Sequence, residues 1–212
     1  MRALSLAVLL ACGAALAQPQ VTLVERQSFD GDELGAPEGY THRMRLAIVL
    51  LEGGGWTRQG AVLALLQAVP ILGQCGVALE RVELFVLEVP ASHLDFSTAA
   101  ARELARAYSV PRPAVYLVRD TRSRPAFEAE AIGRGNSASR PEIADTVWMT
   151  SGVRDPGVAL AHELAHVLMD SGEHSGEEGN LMRDETSLKN RRLSAAQCTR
   201  LRDTAKANGL LK

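Results

Sequence analysis

Three cysteines, five histidines and 4% aromatic residues are a sparse supply of reactive or stacking side chains for a chain of 212 residues. Each scarcity excludes something. Few aromatics argue against a platform on which nucleic-acid bases stack. Basic residues are not in excess: 23 Lys and Arg stand against 25 Asp and Glu, for a net charge of −2. No surface is therefore built to neutralise phosphates, and a nucleic-acid partner is excluded from the expectations. No apolar run reaches the roughly 20 residues that span a bilayer. No tract rich in Pro, Gly and Ser, no repeat and no low-complexity segment divides the chain. What is present is 46% hydrophobic and 23% charged residues, enough to bury a real core in one domain.

The first residues read as an address. Arg2 supplies a positive flank, Ala3 to Leu16 is a short apolar run, and Ala15-Leu16-Ala17 is a small-x-small cleavage site. A signal peptide over residues 1–17 is expected, and with it a secreted or periplasmic location. Leu9-Leu10-Ala11-Cys12 also resembles a bacterial lipobox, which would make Cys12 a lipid anchor. Export leaves Cys75 and Cys198. In an oxidising compartment two cysteines suggest one disulfide; two separate buried thiols are the alternative.

Residues 18–42 read as an N-terminal arm, extended or a short strand with a loop. Residues 43–212 read as one catalytic domain. Apolar runs predict strands over 44–51, 82–89, 114–118, 126–132 and 146–150. Helical patterns cover 57–72, 97–108, 159–169 and 194–207, with Thr57 and Ser194 as caps. Gly172 and the loop 175–179 are expected to end the third helix. This order predicts a single α/β (α+β) domain.

The third helix carries His162-Glu163-Leu164-Ala165-His166. Histidines at i and i+4 share one helical face, so their rings can converge on one zinc ion. Glu163 sits beside that ion, placed to take a proton from a zinc-bound water and return it to a leaving amine. The rest of the helix is apolar, which sets these polar groups in the core, where they need a reason. Asp155-Pro156 is expected to open it, a capping residue followed by proline. A catalytic zinc keeps three protein ligands and one open position. His174 and Glu185 are both candidates for the third. Asp170 lies too far along the helix axis from His162 to share the ion. His42 and His93 have no ligand spacing and read as surface or core histidines.

His162-Glu163-x-x-His166, the later His174 and Asn180-Leu181-Met182 together resemble the metzincin metallopeptidases. The resemblance covers residues 162–182 in motif and most of the chain in layout. It implies a mixed twisted sheet, an active-site helix, a methionine turn with Met182 beneath the metal, and a final helix. It implies His162, His166 and His174 as zinc ligands. The family has glycine three residues after the second histidine, and the third histidine six after it. Here Met169 takes the glycine's place and His174 comes eight after, so nearly one extra helical turn is expected. Residues 183–212 hold no tyrosine to stand near the metal. With Glu185 as third ligand the chain would instead resemble the gluzincins. Phe29-Asp30-Gly31-Asp32 resembles the pro-segment of astacins, which would make Asp32 a latency ligand.

The expectation is thus a zinc-dependent metalloendopeptidase, monomeric, acting on peptide or protein. Zinc-bound water would be the nucleophile and Glu163 the general base. The substrate would lie extended along the strand near residues 126–132. The rivals are a zinc-bearing binding or inhibitory domain that does not cleave, and a metal-free interaction module.

Overall fold

Strand β2 (His42–Leu51) shows how the layers arise. Its apolar run is continuous because successive side chains point to opposite faces and both faces are covered. Met44, Leu46, Ile48 and Leu50 enter one core, while Ala47, Val49 and Leu51 enter the other. The computed structural model describes residues 20–34 and 40–212, without the side chains of Asp32 and Leu34. The expected signal segment, Cys12 and any contact of Asp32 lie outside what is described.

Around β2 stand β1 (Thr22–Asp30), β3 (Val77–Glu88), β5 (Ala114–Val118), β7 (Ala129–Ile132) and β8 (Thr146–Thr150). The six-stranded sheet has the order β1-β3-β2-β5-β8-β7. The four inner strands are parallel; β1 and β7 run antiparallel at the two edges. A two-residue pair, β4 (Asp95–Phe96) with β6 (Asp120–Thr121), stands apart. The helices are α1 (Arg58–Gly73), α2 (Thr98–Ala107), α3 (Pro156–Met169) and α4 (Ala195–Ala207). Helices α1, α3 and α4 cover one face of the sheet and α2 the other. The result is a single mixed α/β domain, consistent with a zincin-like fold. No described helix is long and apolar enough to cross a membrane.

The caps at Thr57 and Ser194 form as expected. Thr57 accepts the Gly60 N–H, and Ser194 and Gln197 make a reciprocal capping box. Asp155 does not cap α3 with its side chain; it takes a left-handed backbone instead, with φ 46°, and Pro156 follows at the first helical position. Residues 22–30 of the expected arm form the nine-residue edge strand β1 in the same sheet. Cys75 and Cys198 are joined by a disulfide with Cα atoms 4.8 Å apart. It ties the turn after α1 to the first turn of α4.

Candidate metal centre

Helix α3 is buried along its length from Gly157 to Met169. Close packing begins at Gly157, where a Cβ would lie 2.3 Å from the Gln67 Cβ of α1. His162, Glu163 and His166 are 3%, 8% and 7% exposed, so their polar atoms need partners.

Both histidines find one on Nδ1. His162 Nδ1 lies 2.7 Å from the Leu181 carbonyl, and His166 Nδ1 lies 2.6 Å from that of Ser171. A carbonyl only accepts, so each Nδ1 carries the proton and donates it. Each Nε2 is then left with a lone pair.

Those lone pairs converge. His166 Nε2 is 2.9 Å from His162 Nε2 and 3.3 Å from His174 Nε2. All three donor atoms lie within 4.8 Å of one another, the one cluster of three or more metal-ligating side chains among the described residues. Two nitrogens bound to one zinc at about 2.0–2.1 Å would sit about 3.3 Å apart at a tetrahedral angle. The spacings from His166 to His174 and to His162 lie at and inside that value. Burial, with His162 alongside, pushes the His166 imidazole down to about 4, and burial lowers His162 as well. At neutral pH a proton therefore does not separate the facing lone pairs. The donor set fits a borderline cation such as zinc.

The chain reaches His174 by an earlier reversal than the sequence suggests. Helix α3 stops at Met169, and Asp170 takes the left-handed conformation with φ 45°. Neither Gly172 nor an added turn is needed. The Asp170 N–H returns to the His166 and Val167 carbonyls, and the Ser171 N–H to that of His166. The reversal comes one residue later than the metzincin glycine. Asp170 Oδ1 also accepts the Gly135 N–H at 2.9 Å. His174 is the exposed member of the cluster, and its Nδ1 faces Asp184 at 3.3 Å.

The cluster opens on a cavity of about 800 Å³, lined by β7 from Ala129 to Ala131, by Glu163 and by Glu185. Burial pushes the Glu163 carboxyl up to about 8; nearby Glu130 adds to this, and the Ala131 N–H opposes it. Glu185 is exposed at this cavity and stands apart from the three-histidine cluster. Met182 is buried, its N–H held by Asn180 Oδ1 at 2.9 Å and its carbonyl by the Ser175 N–H at 2.6 Å. His42 begins β2, and the His93 ring faces Glu103 at 3.3 Å. Sequence reasoning missed the Leu181 and Ser171 carbonyls and Asp184. Carbonyls carry no residue identity, and only the Asn180-Leu181-Met182 run pointed near them.

Fold and cluster together define an α/β domain of zincin-like architecture with a three-histidine candidate metal site. No protein-family model and no curated protein matches the chain. Among solved structures it is similar to metalloproteinase-II from Bacteroides fragilis, with a TM-score of 0.51 and 18% identity. That likeness, one of fold, covers 79% of this chain and 55% of the other, so the chain spans about half of its neighbour's length.

Proposed function

We propose that the protein is an exported zinc metalloendopeptidase of the metzincin type, with residues 1–17 as its signal and residues 43–212 as its catalytic domain. The observation that carries this reading is the convergence of the His162, His166 and His174 ring nitrogens beside a buried carboxyl, at a cavity walled by an edge strand.

His162, His166 and His174 would hold the ion. A zinc ion there supplies Lewis acidity, polarising a carbonyl and lowering the pKa of water to about 7. Glu163 is the base that takes the proton of the attacking water and the acid that delivers it to the departing amine. The buried setting that raises its affinity for a proton suits both halves of that task. The substrate lies extended along β7, whose outer side no described strand pairs. Met182 forms the floor of the site. The neighbour's name, metalloproteinase, supports the same class.

Glu163→Gln tests the reading. The variant is expected to retain about one zinc per chain and to lose about 10²–10⁴-fold in peptide turnover. Equal turnover by variant and parent would overturn the mechanism. A zinc-loaded parent that cleaves no member of a peptide library would make it a binding domain instead.

A further inference from the structure

The Leu181 carbonyl fixes the His162 tautomer only as firmly as the backbone around it is fixed. Both neighbouring peptide units are held. The Leu181 N–H donates to the Arg192 carbonyl at 2.6 Å, and the Met182 N–H donates to Asn180 Oδ1 at 2.9 Å. Asn180 is itself 3% exposed and pairs amide to amide with a residue of α4. Its Nδ2 donates to Gln197 Oε1 at 3.0 Å, and Gln197 Nε2 donates back to Asn180 Oδ1 at 3.1 Å. Gln197 Oε1 also accepts the Ser194 N–H at 2.8 Å, so one oxygen serves both the helix cap and the turn. The next residue, Cys198, is bonded to Cys75 and pins this first turn of α4 to the body of the domain.

We propose that Asn180 and Gln197 are positioning residues for the metal centre. Their reciprocal amide pair holds the 180–182 turn so that Leu181 keeps the proton of His162 on Nδ1 and its lone pair on Nε2. This rests on the three-histidine site being a metal site. Gln197 touches neither metal nor substrate. It acts through Asn180, Leu181 and His162, 35 residues away in sequence.

A purely structural role would cost stability and leave metal affinity alone, which defines the test. Zinc affinity is measured on the full chain by competition with a chromophoric chelator, beside the ¹⁵N signature of the His162 ring. Gln197→Met keeps side-chain length and helix preference but removes both polar atoms. It is expected to weaken zinc binding on the order of 10–100-fold, the cost typical of losing outer support for a ligand. It is also expected to blur the Nδ1–H tautomer of His162. Ser194→Ala breaks the capping box and spares the amide pair, so it is expected to lower the melting temperature and leave zinc affinity within about threefold. Asn180→Asp keeps the acceptor for Met182 but opposes a carboxylate to Gln197 Oε1. It is expected to weaken zinc about tenfold, and it decides the matter if Gln197→Met does not fold. Parent-like zinc affinity in a folded Gln197→Met or Asn180→Asp protein overturns the proposal. So does a loss in Ser194→Ala equal to that in Gln197→Met. A parent that binds no zinc removes the metal-site reading itself and this inference with it.

Discussion

His162 and His166 donate their Nδ1 protons to backbone carbonyls, whereas His174 leans on Asp184, whose side chain is 93% exposed. A fully solvated carboxylate orients its partner weakly. The third position is therefore the loosest of the three, and it is where ligand identity is best tested. His174→Ala is expected to lose zinc to a mild chelator that the parent resists, while Glu185→Ala keeps about one zinc per chain. Retention by His174→Ala together with loss by Glu185→Ala would place the third ligand on Glu185. At this scale the sequence was informative where chemistry is local. An i, i+4 pair on an apolar helix states its own geometry. The carbonyls that set the tautomers, and the Gln197 amide far down the chain, are products of the fold.

Between elements, α3 lies against α1 because residue 157 has no side chain. Gly157→Ala would drive its Cβ into the Gln67 Cβ and close on the Ala64 carbonyl at 3.1 Å, and neither can swing away. A loss of about 1–3 kcal/mol is expected, read from the urea midpoint, with zinc affinity falling as α3 shifts. An unchanged midpoint would mean that the helices separate without cost. Element by element, legibility followed burial. Strands β5 and β8, buried at every position, begin and end where their apolar runs do. Strand β3 starts at Val77 rather than Val82, because Glu80 and Arg81 interrupt its pattern beside a register shift against β2. Strand β1 is mostly exposed, so no alternation marks it; its pairing with β3 defines it. Helix α3 ends at Met169, where its apolar pattern does, but the chain reverses at Asp170 rather than at Gly172, since a left-handed aspartate replaces the usual glycine.

For the molecule as a whole, two ties join distant parts of the chain. The disulfide closes a separation of 123 residues, and replacing both cysteines with alanine is expected to cost about 2–5 kcal/mol, seen as a lower melting temperature. Reductant is expected to reproduce the loss in the parent and to leave the double variant unaffected. The other tie is ionic. Hydrogen bonds first from Arg45 and then from Lys212 hold the Glu80 carboxyl at about 2, down from 4.5. A depressed carboxylate contributes stability above its unfolded pKa and loses it as pH falls through the folded one. The parent is thus expected to melt above Glu80→Gln at pH 7, with the gap closing between about pH 4.5 and 2. A gap constant to pH 2 would assign the effect to something other than charge.

The Asp170 carboxylate sits within 2.6 Å of where a Gly133 Cβ would lie and takes the Gly135 N–H, while Arg134 between them bonds Asp145 and the Asn208 carbonyl. The loop after β7 is clamped to the end of the helix that bears His166, and clamped again behind. The loop and the helix end are therefore joined along one side of the cleft. Asp170 is in turn bonded to the backbone of His166. One aspartate thus touches both the loop that lines the cleft and the backbone of a cluster histidine. A residue with a side chain at Gly133 is expected to register at the imidazoles as well as in the cleft.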